Sequence, residues 1–101
     1  MQMLTIVCRE TFDDEVRVLF NGLRIKGYTV MSGVGGSGET GTVSGAHGWT
    51  DRNMLFLVAL DNDQIAGLVN ALKALHAKLV TENSGREVAL KVFLQPCELI
   101  L

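Results

Sequence analysis

The sequence predicts one α+β domain in which two helices cover one face of a four-stranded antiparallel sheet. The chain has 101 residues, which suits a single domain with one core. Its apolar patterns follow the order strand, helix, strand, long loop, strand, helix, strand. Residues 54–60 (Met-Leu-Phe-Leu-Val-Ala-Leu) are apolar throughout, which is typical of a central strand and not of a one-sided edge strand.

The first two elements are an apolar strand and an amphipathic helix. Residues 4–8 (Leu-Thr-Ile-Val-Cys) are apolar and β-branched, which favours a buried strand. We expect Thr11 to cap the helix, with acidic residues 13–15 at its positive end. We expect Arg24 and Lys26 in its last turn, before Gly27. The helix places these apolar residues on one face: Phe12, Val16, Leu19, Phe20 and Leu23.

The second strand begins at residues 28–31 (Tyr-Thr-Val-Met) and leads into a glycine-rich segment. Seven of the eleven glycines fall between Gly33 and Gly48, without the periodicity of a core element. We therefore expect a long exposed loop between this strand and the central strand. A loop of this length inside a small domain is usually functional, although the glycines also suit a merely flexible connection.

A second helix and a last strand complete the pattern. Residues 61–63 offer caps, and residues 83–85 (Asn-Ser-Gly) end the helix before a strand over Val88–Leu101. The apolar face of the helix is formed by Ile65, Leu68, Val69, Leu72, Leu75 and Leu79. The βαββαβ order is that of a ferredoxin-like sandwich, whose sheet has one uncovered face.

Composition narrows the class of function. Hydrophobic residues make up 48% of this short chain and the mean hydropathy is +0.26, which favours burial of some apolar surface in a subunit interface. The net charge is −2 and the basic residues are scattered, which argues against nucleic acid as a partner. No apolar run spans a membrane and the N-terminus lacks signal-peptide features, so we expect a soluble, cytoplasmic protein. Cys8 and Cys97 lack C-x-x-C spacing and are expected to be buried thiols.

The segment 33–40 (Gly-Val-Gly-Gly-Ser-Gly-Glu-Thr) matches two phosphate-binding patterns in letters only. It fits G-x-G-x-x-G, and it fits the phosphate loop G-x-x-x-x-G-K-[ST] except that Glu39 replaces the lysine. Both motifs need a helix directly after the loop to hold the phosphate. The residues after Gly38 are rich in Gly, Thr and Ser and do not favour a helix. We therefore expect neither enzyme class and no catalytic residues.

Taken together, these features resemble the PII-like trimeric signalling proteins, of which the nitrogen-regulatory PII proteins are best known. The resemblance spans essentially the whole chain. It rests on the element order and on the Gly33-Val34-Gly35 step that opens the long loop. It also rests on residues 91–96 (Lys-Val-Phe-Leu-Gln-Pro), which resemble the family's K-I-F-V-x-P pattern.

The resemblance implies a homotrimer with a cleft between each pair of neighbouring subunits. Each cleft would take an adenine nucleotide (ADP, ATP or AMP) or a small anionic effector, with no tightly bound cofactor. The long loop, residues 36–51 by position, would then act on a partner such as a membrane transporter or an enzyme. Such proteins regulate others and have no catalytic chemistry of their own.

The resemblance also assigns candidate ligand-binding residues. The base of the loop matches the segment that contacts the nucleotide and the effector. Arg52 falls where the family usually has a lysine, Lys91 matches its phosphate-binding lysine, and Arg86 is expected to add positive charge nearby. The full set is Gly33, Val34, Gly35, Gly36, Arg52, Arg86 and Lys91.

Loop side chains are the candidates for partner binding. Trp49 follows a glycine, and exposed tryptophans are enriched at binding hot spots, although Trp49 could instead fold back on its own sheet. The candidate set is Glu39, Thr40, Thr42, His47 and Trp49.

Departures from the family pattern keep alternatives open. Residues 88–90 (Val-Ala-Leu) replace a glycine-aspartate-glycine step, and the family's later arginines have no counterpart here, which favours a divergent sensor over classical nitrogen sensing. One rival is a cation-tolerance protein of the same architecture that uses His47, His76 or Cys97. We expect no metal site, because no second His or Cys lies at ligand spacing from His47. A second rival is a purely structural trimer without a ligand.

Overall fold

The computed structural model describes residues 1–38, 41–43 and 52–101. The helices are α1 (Asp13–Gly22), preceded by a 3-10 turn (Glu10–Phe12), and α2 (Asn62–Glu82). The strands are β1 (Gln2–Arg9), β2 (Thr29–Val34), β3 (Gly36–Gly38), β4 (Gly41–Val43), β5 (Asn53–Leu60) and β6 (Leu90–Pro96).

The main sheet has four antiparallel strands in the order β2-β5-β1-β6. This arrangement confirms the predicted α+β fold and the central position of the strand over 54–60. The register places Ile6 opposite Phe56 on one side and Val92 on the other. The two edge strands are therefore close to the predicted functional segments. β2 leads into the glycine-rich loop, and β6 contains Lys91.

The core lies between one face of the sheet and the two helices. Alternate residues of β1 and β5, such as Ile6 and Val58, are fully buried, as the period of a strand requires. The apolar face of α2 is buried at the predicted positions, with Val69 partly buried at its margin. In the part of the chain that the structure describes, neither helix combines the length and apolarity needed to cross a bilayer.

An aromatic cluster joins α1 to the sheet. The ring of Phe20 stands edge-on to Phe56 with centroids 5.5 Å apart, and its centroid lies 4.7 Å from that of Tyr28. Arg17 covers the cluster, with its guanidinium 5.6 Å from the centroid of Phe56. Its Nε donates a 2.6 Å hydrogen bond to Asp13. These contacts fix α1 on β5, so the cluster sets how the helix sits on the sheet.

The opposite face of the sheet presents apolar side chains outward. Met31 is 48% exposed and Phe93 59% exposed, and Val7 and Leu55 lie between them with partial burial. This is the uncovered face that the fold predicts. Such a contiguous apolar surface is typical of an association interface.

The termini of α1 differ from the prediction. Thr11 lies in the 3-10 turn, and the helix begins after Phe12 without a side-chain cap, so the predicted cap is wrong. The predicted acidic first turn is present at residues 13–15. The helix ends at Gly22, and Arg24 adopts a left-handed φ of 58°. Arg24 and Lys26 therefore lie beyond the last turn, because the chain turns early to bury Ile25.

The glycine-rich segment contains two short strands where we expected only a loop. β3 and β4 pair antiparallel, with Ser37 opposite Thr42. Residues 39, 40 and 44–51 lie outside the described part of the chain. The last strand is also shorter than predicted, since it spans Leu90–Pro96 and the residues that follow are not paired as a strand. Cys8 is buried as expected, whereas Cys97 is only partly buried.

The aromatic cluster predicts the largest single loss of stability in the core. Phe20 is fully buried, so Phe20→Ala removes its ring contacts and leaves a cavity, at a cost of about 3–5 kcal/mol of unfolding free energy. Val18→Ala, on the same helix but 66% exposed, is expected to change stability by less than about 0.5 kcal/mol. Urea unfolding at equal protein concentration measures both variants. A Phe20→Ala variant within 1 kcal/mol of the parent would contradict this packing.

A second prediction concerns the glycine at the end of β2. Gly33 has a φ of +68°, and the pairing with β5 is irregular between Met31 and Val34. Gly33→Ala should cost about 1–2 kcal/mol, because a Cβ disfavours this left-handed conformation. Gly22→Ala is the matched control: it lies in a helix, has open space around its Cα, and should leave stability unchanged or raise it by up to about 1 kcal/mol. Equal changes in unfolding free energy for the two variants would refute the left-handed conformation of Gly33.

The buried thiol predicts a pH dependence. Burial, followed by the negative charges of Asp13 and Glu15, raises the pKa of Cys8 to about 12 from an ordinary value of 9.0. Between these values the unfolded chain releases the thiol proton and the folded chain keeps it, so stability falls as pH rises. From pH 8 to 10 the parent should lose about 1–2 kcal/mol more than Cys8→Ala. Parallel pH profiles for the two proteins would contradict the prediction.

Candidate functional site

The residues predicted to bind a ligand lie at one end of the sheet. In an antiparallel sheet β1 and β2 end where β5 and β6 begin. The register fixes this end, because Arg9 and Val34 both lie opposite Asn53. The backbone N–H of Arg9 also donates to the carbonyl of Ala89 at 3.0 Å. The base of the glycine-rich loop, the start of β5 and the segment before β6 therefore share this end.

The glycine base is shaped by its approach to β5. Gly33 takes its left-handed φ where the ladder becomes irregular, and Val34 resumes pairing opposite Asn53. Gly36 lies against the same residue, since a Cβ built on it would stand 3.3 Å from Asn53 Nδ2. Small residues thus let the chain turn closely around the start of β5. They also leave their backbone amides near the surface.

Two arginines flank this end of the sheet. The carbonyl of Arg52 accepts a 2.8 Å hydrogen bond from the backbone N–H of Glu10, which ties the start of β5 to the end of β1. Its buried Nε finds no hydrogen-bond partner among the residues that the structure describes. Arg86 is exposed on the turn after α2, where its backbone N–H donates to the carbonyl of Asn83 at 3.1 Å.

Lys91 lies near the start of β6, opposite Val7. Its Nζ stands 3.0 Å from Oε1 of Glu87, and both side chains are about half exposed, at 53% and 41%. The lysine therefore stands at the edge strand of the sheet and already contacts a carboxylate of its own chain.

The candidate ligand-binding residues divide between the two edges of the sheet. Neighbouring strands lie about 4.8 Å apart, and the order β2-β5-β1-β6 leaves three such intervals between the edges. The backbone of the glycine base and that of Lys91 are thus separated by about 14 Å across the sheet. The glycine base and Lys91 of one chain therefore lie on opposite edges of the sheet, and a ligand would have to reach across this distance to contact both.

Three residues at this end escaped the sequence analysis as site residues. Asn53 contacts the glycine base, Arg9 joins β1 to the segment before β6, and Glu87 holds Lys91. For Arg9 and Asn53, the available signal was a charged or polar residue at the end or the start of an apolar strand. For Glu87, the available signal was its i,i+4 spacing from Lys91, which suits an ion pair.

A cavity of about 500 Å³ opens beside this end, between the start of α1 and the end of α2. Glu15 contributes a buried Oε2 without a hydrogen-bond partner among the described residues. The lining mixes polar and apolar residues, and the polar ones are Arg9, Thr11, Glu15, Glu82, Asn83 and Glu87.

The candidate metal ligands are not brought together within the described ranges. No three His, Cys, Asp or Glu side chains converge there. His76 is partly buried beside Leu72 at the margin of the core. Among the candidate partner-binding residues, Thr42 lies in β4. The other four, Glu39, Thr40, His47 and Trp49, lie outside the described residues.

The chain is similar to a known protein family and to solved structures. Residues 1–98 match the family model described as nitrogen regulatory protein P-II. No curated protein sequence matches the chain. Among solved structures, the chain is similar to CPII, a nitrogen regulatory PII-like protein from Thiomonas intermedia K12.

The structural matches span nearly the whole chain. The form bound to ADP and bicarbonate is 17% identical with a TM-score of 0.73, over 93% of this chain and 82% of that chain. The form bound to ADP, AMP and bicarbonate is 16% identical with a TM-score of 0.74, over 93% and 82%. The apo form is 17% identical with a TM-score of 0.62, over 93% and 85%. These matches establish the fold, and because the family model spans residues 1–98, the chain belongs to the nitrogen regulatory P-II family.

Proposed function

We propose that this chain is a PII-like regulator that binds an adenine nucleotide, or a small anion, in clefts between the subunits of a homotrimer. Ligand binding changes the conformation of the glycine-rich loop, which acts on a membrane transporter or an enzyme. The protein carries out no reaction of its own. The observation that most supports this function is the division of the ligand-binding residues between opposite edges of the sheet.

A ring of subunits would unite the two halves of the site. The β2 edge ends in the glycine base, whose amides suit an anion, and the β6 edge supplies Lys91, with Arg86 nearby. A cyclic trimer joins two different patches of neighbouring subunits. In the proposed trimer these patches include the β2 edge of one subunit and the β6 edge of the next. Three equivalent clefts then form, each with glycine amides from one chain and cations from the next.

The uncovered sheet face supplies the surface for such assembly. Exposed Met31 and Phe93 lie on this face on either side of partly buried Val7 and Leu55. Each buried apolar side chain of this size contributes about 1.5–3 kcal/mol, so burial of this face favours a stable trimer.

The relatives indicate the class of ligand. CPII, at 16–17% identity, has been solved with ADP and bicarbonate, with ADP, AMP and bicarbonate, and with ADP, AMP and acetate. All are anions, as the cationic side chains of this site require. An adenine nucleotide together with a small carboxylate or bicarbonate is therefore the ligand class that we propose.

Nucleotide binding gives a direct test of this function. Light scattering should return a trimer mass, and calorimetry with ADP should show one site per chain. Lys91→Ala should weaken ADP binding about 10- to 100-fold, since charge-assisted hydrogen bonds contribute about 1.5–3 kcal/mol. Lys73→Ala is the control: this exposed lysine lies on α2 beside the groove with Leu94 and should leave binding unchanged.

Hydrogen exchange over residues 37–50, measured with and without ADP, tests the proposed response of the glycine-rich loop to the ligand. Slower exchange in the complex is expected, because a ligand held by several charge-assisted contacts offsets the backbone entropy of ordering, about 1–2 kcal/mol per residue. A monomer mass, or no ADP binding by the parent at millimolar concentration, would contradict the proposed function. Unchanged loop exchange in an ADP complex would remove the loop as its output.

A further inference from the structure

The lysine proposed to bind phosphate is held by a carboxylate of its own chain. Glu87 Oε1 lies 3.0 Å from Lys91 Nζ, which is hydrogen-bond distance as well as ion-pair distance. A phosphate oxygen that binds the same ammonium group along this direction meets Glu87 first. The carboxylate takes one of the three N–H donors of the ammonium and places a negative charge beside any anion that binds the others.

The backbone holds Glu87 in place for this contact. Its carbonyl accepts a 3.2 Å hydrogen bond from Asn83 Nδ2. The turn before it is closed by the backbone N–H of Gly85, which donates to the carbonyl of Val80 at 2.9 Å, with Gly85 at a left-handed φ of 79°. Lys91 is fixed in turn by its ladder position opposite Val7. Because both backbones are anchored, the two side chains stay within reach of each other.

We propose that Glu87 is a specificity-determining residue of the anion site. Its carboxylate lowers the affinity of the site for every ligand that needs Lys91, and it leaves the affinity for uncharged nucleosides unaffected. The proposal rests on the proposed nucleotide site. Ligands that supply strong phosphate contacts, such as nucleoside diphosphates, displace Glu87 from Lys91 more readily than weaker anions do.

The surroundings of Glu87 favour this role. Glu15, Glu82 and Arg9 line the cavity beside it. The released carboxylate stays within a side chain's reach of the bound anion, because the backbone of Glu87 is anchored by Asn83. Its negative charge therefore continues to oppose ligands in proportion to their charge. Glu82, by contrast, stands 4.0 Å from Lys78 along α2, which gives a matched i,i+4 pair that does not involve Lys91.

Calorimetry with ADP and with adenosine tests the proposal on the parent, Glu87→Gln, Glu82→Gln, Lys91→Ala and the double variant Glu87→Gln/Lys91→Ala. Exposed ion pairs of this kind are weak, so Glu87→Gln should tighten ADP binding about two- to fivefold. The gain should shrink at high salt, because screening weakens the competing pair. Adenosine affinity should not change, Glu82→Gln should have less than half the effect, and the gain should be largely lost in the Lys91→Ala background.

The outcomes separate this inference from the proposed function. If the parent binds ADP, Lys91→Ala weakens it, and Glu87→Gln changes nothing, the site stands and the role of Glu87 is refuted. An equal gain from Glu82→Gln, or a gain that persists in full without Lys91, would also refute it, because the effect would then be one of general charge. No ADP binding by the parent would overturn the proposed function and this inference with it.

Discussion

The position of β1 between β5 and β6 is the constraint on which the rest of the structure depends. Its alternation of buried residues (Leu4, Ile6, Cys8) fixes which face meets the helices, and a slip of one residue against either neighbour would turn that face to solvent. The same register joins Arg9 to Asn53 and, through a backbone hydrogen bond, to Ala89. The packing of the core thereby brings the start of β5 and the segment before β6 to one end of the sheet.

Much of the fold could be predicted from the sequence, because the spacing of apolar residues along the chain follows which side chains are buried. The continuous apolar run of β5 and the buried face of α2 were predicted correctly for that reason. The termini of α1 were not, since Thr11 and Arg24 were judged by local propensity, and packing of Phe12 and Ile25 on the core overrides it. The β3–β4 pairing was missed because residues 36–43 have no hydrophobic alternation to reveal it.

The candidate site shows the limit of sequence reasoning more clearly. The glycine base and Lys91 were predicted as site residues from the resemblance, but their separation across three strand intervals depends on strand order, which no local pattern encodes. Asn53 and Glu87 act through contacts with those residues, so their relevance emerges only once the edges of the sheet are known. We therefore propose a site that is completed by assembly and whose lysine is moderated by a carboxylate of the same chain.

Mixed trimers test the central claim that each site is shared between two chains. Gly36→Asp places a carboxylate at the glycine base, and Lys91→Ala removes the cation of the other edge, so trimers of either variant alone should bind ADP poorly. If the two edges of different chains form each cleft, co-refolding the variants in equal amounts restores intact clefts, about a quarter of the parental number by random assortment around a ring. Calorimetry that finds this recovered fraction with near-parental affinity supports the account. Mixed trimers that recover no ADP binding would contradict it and place the whole site within one chain.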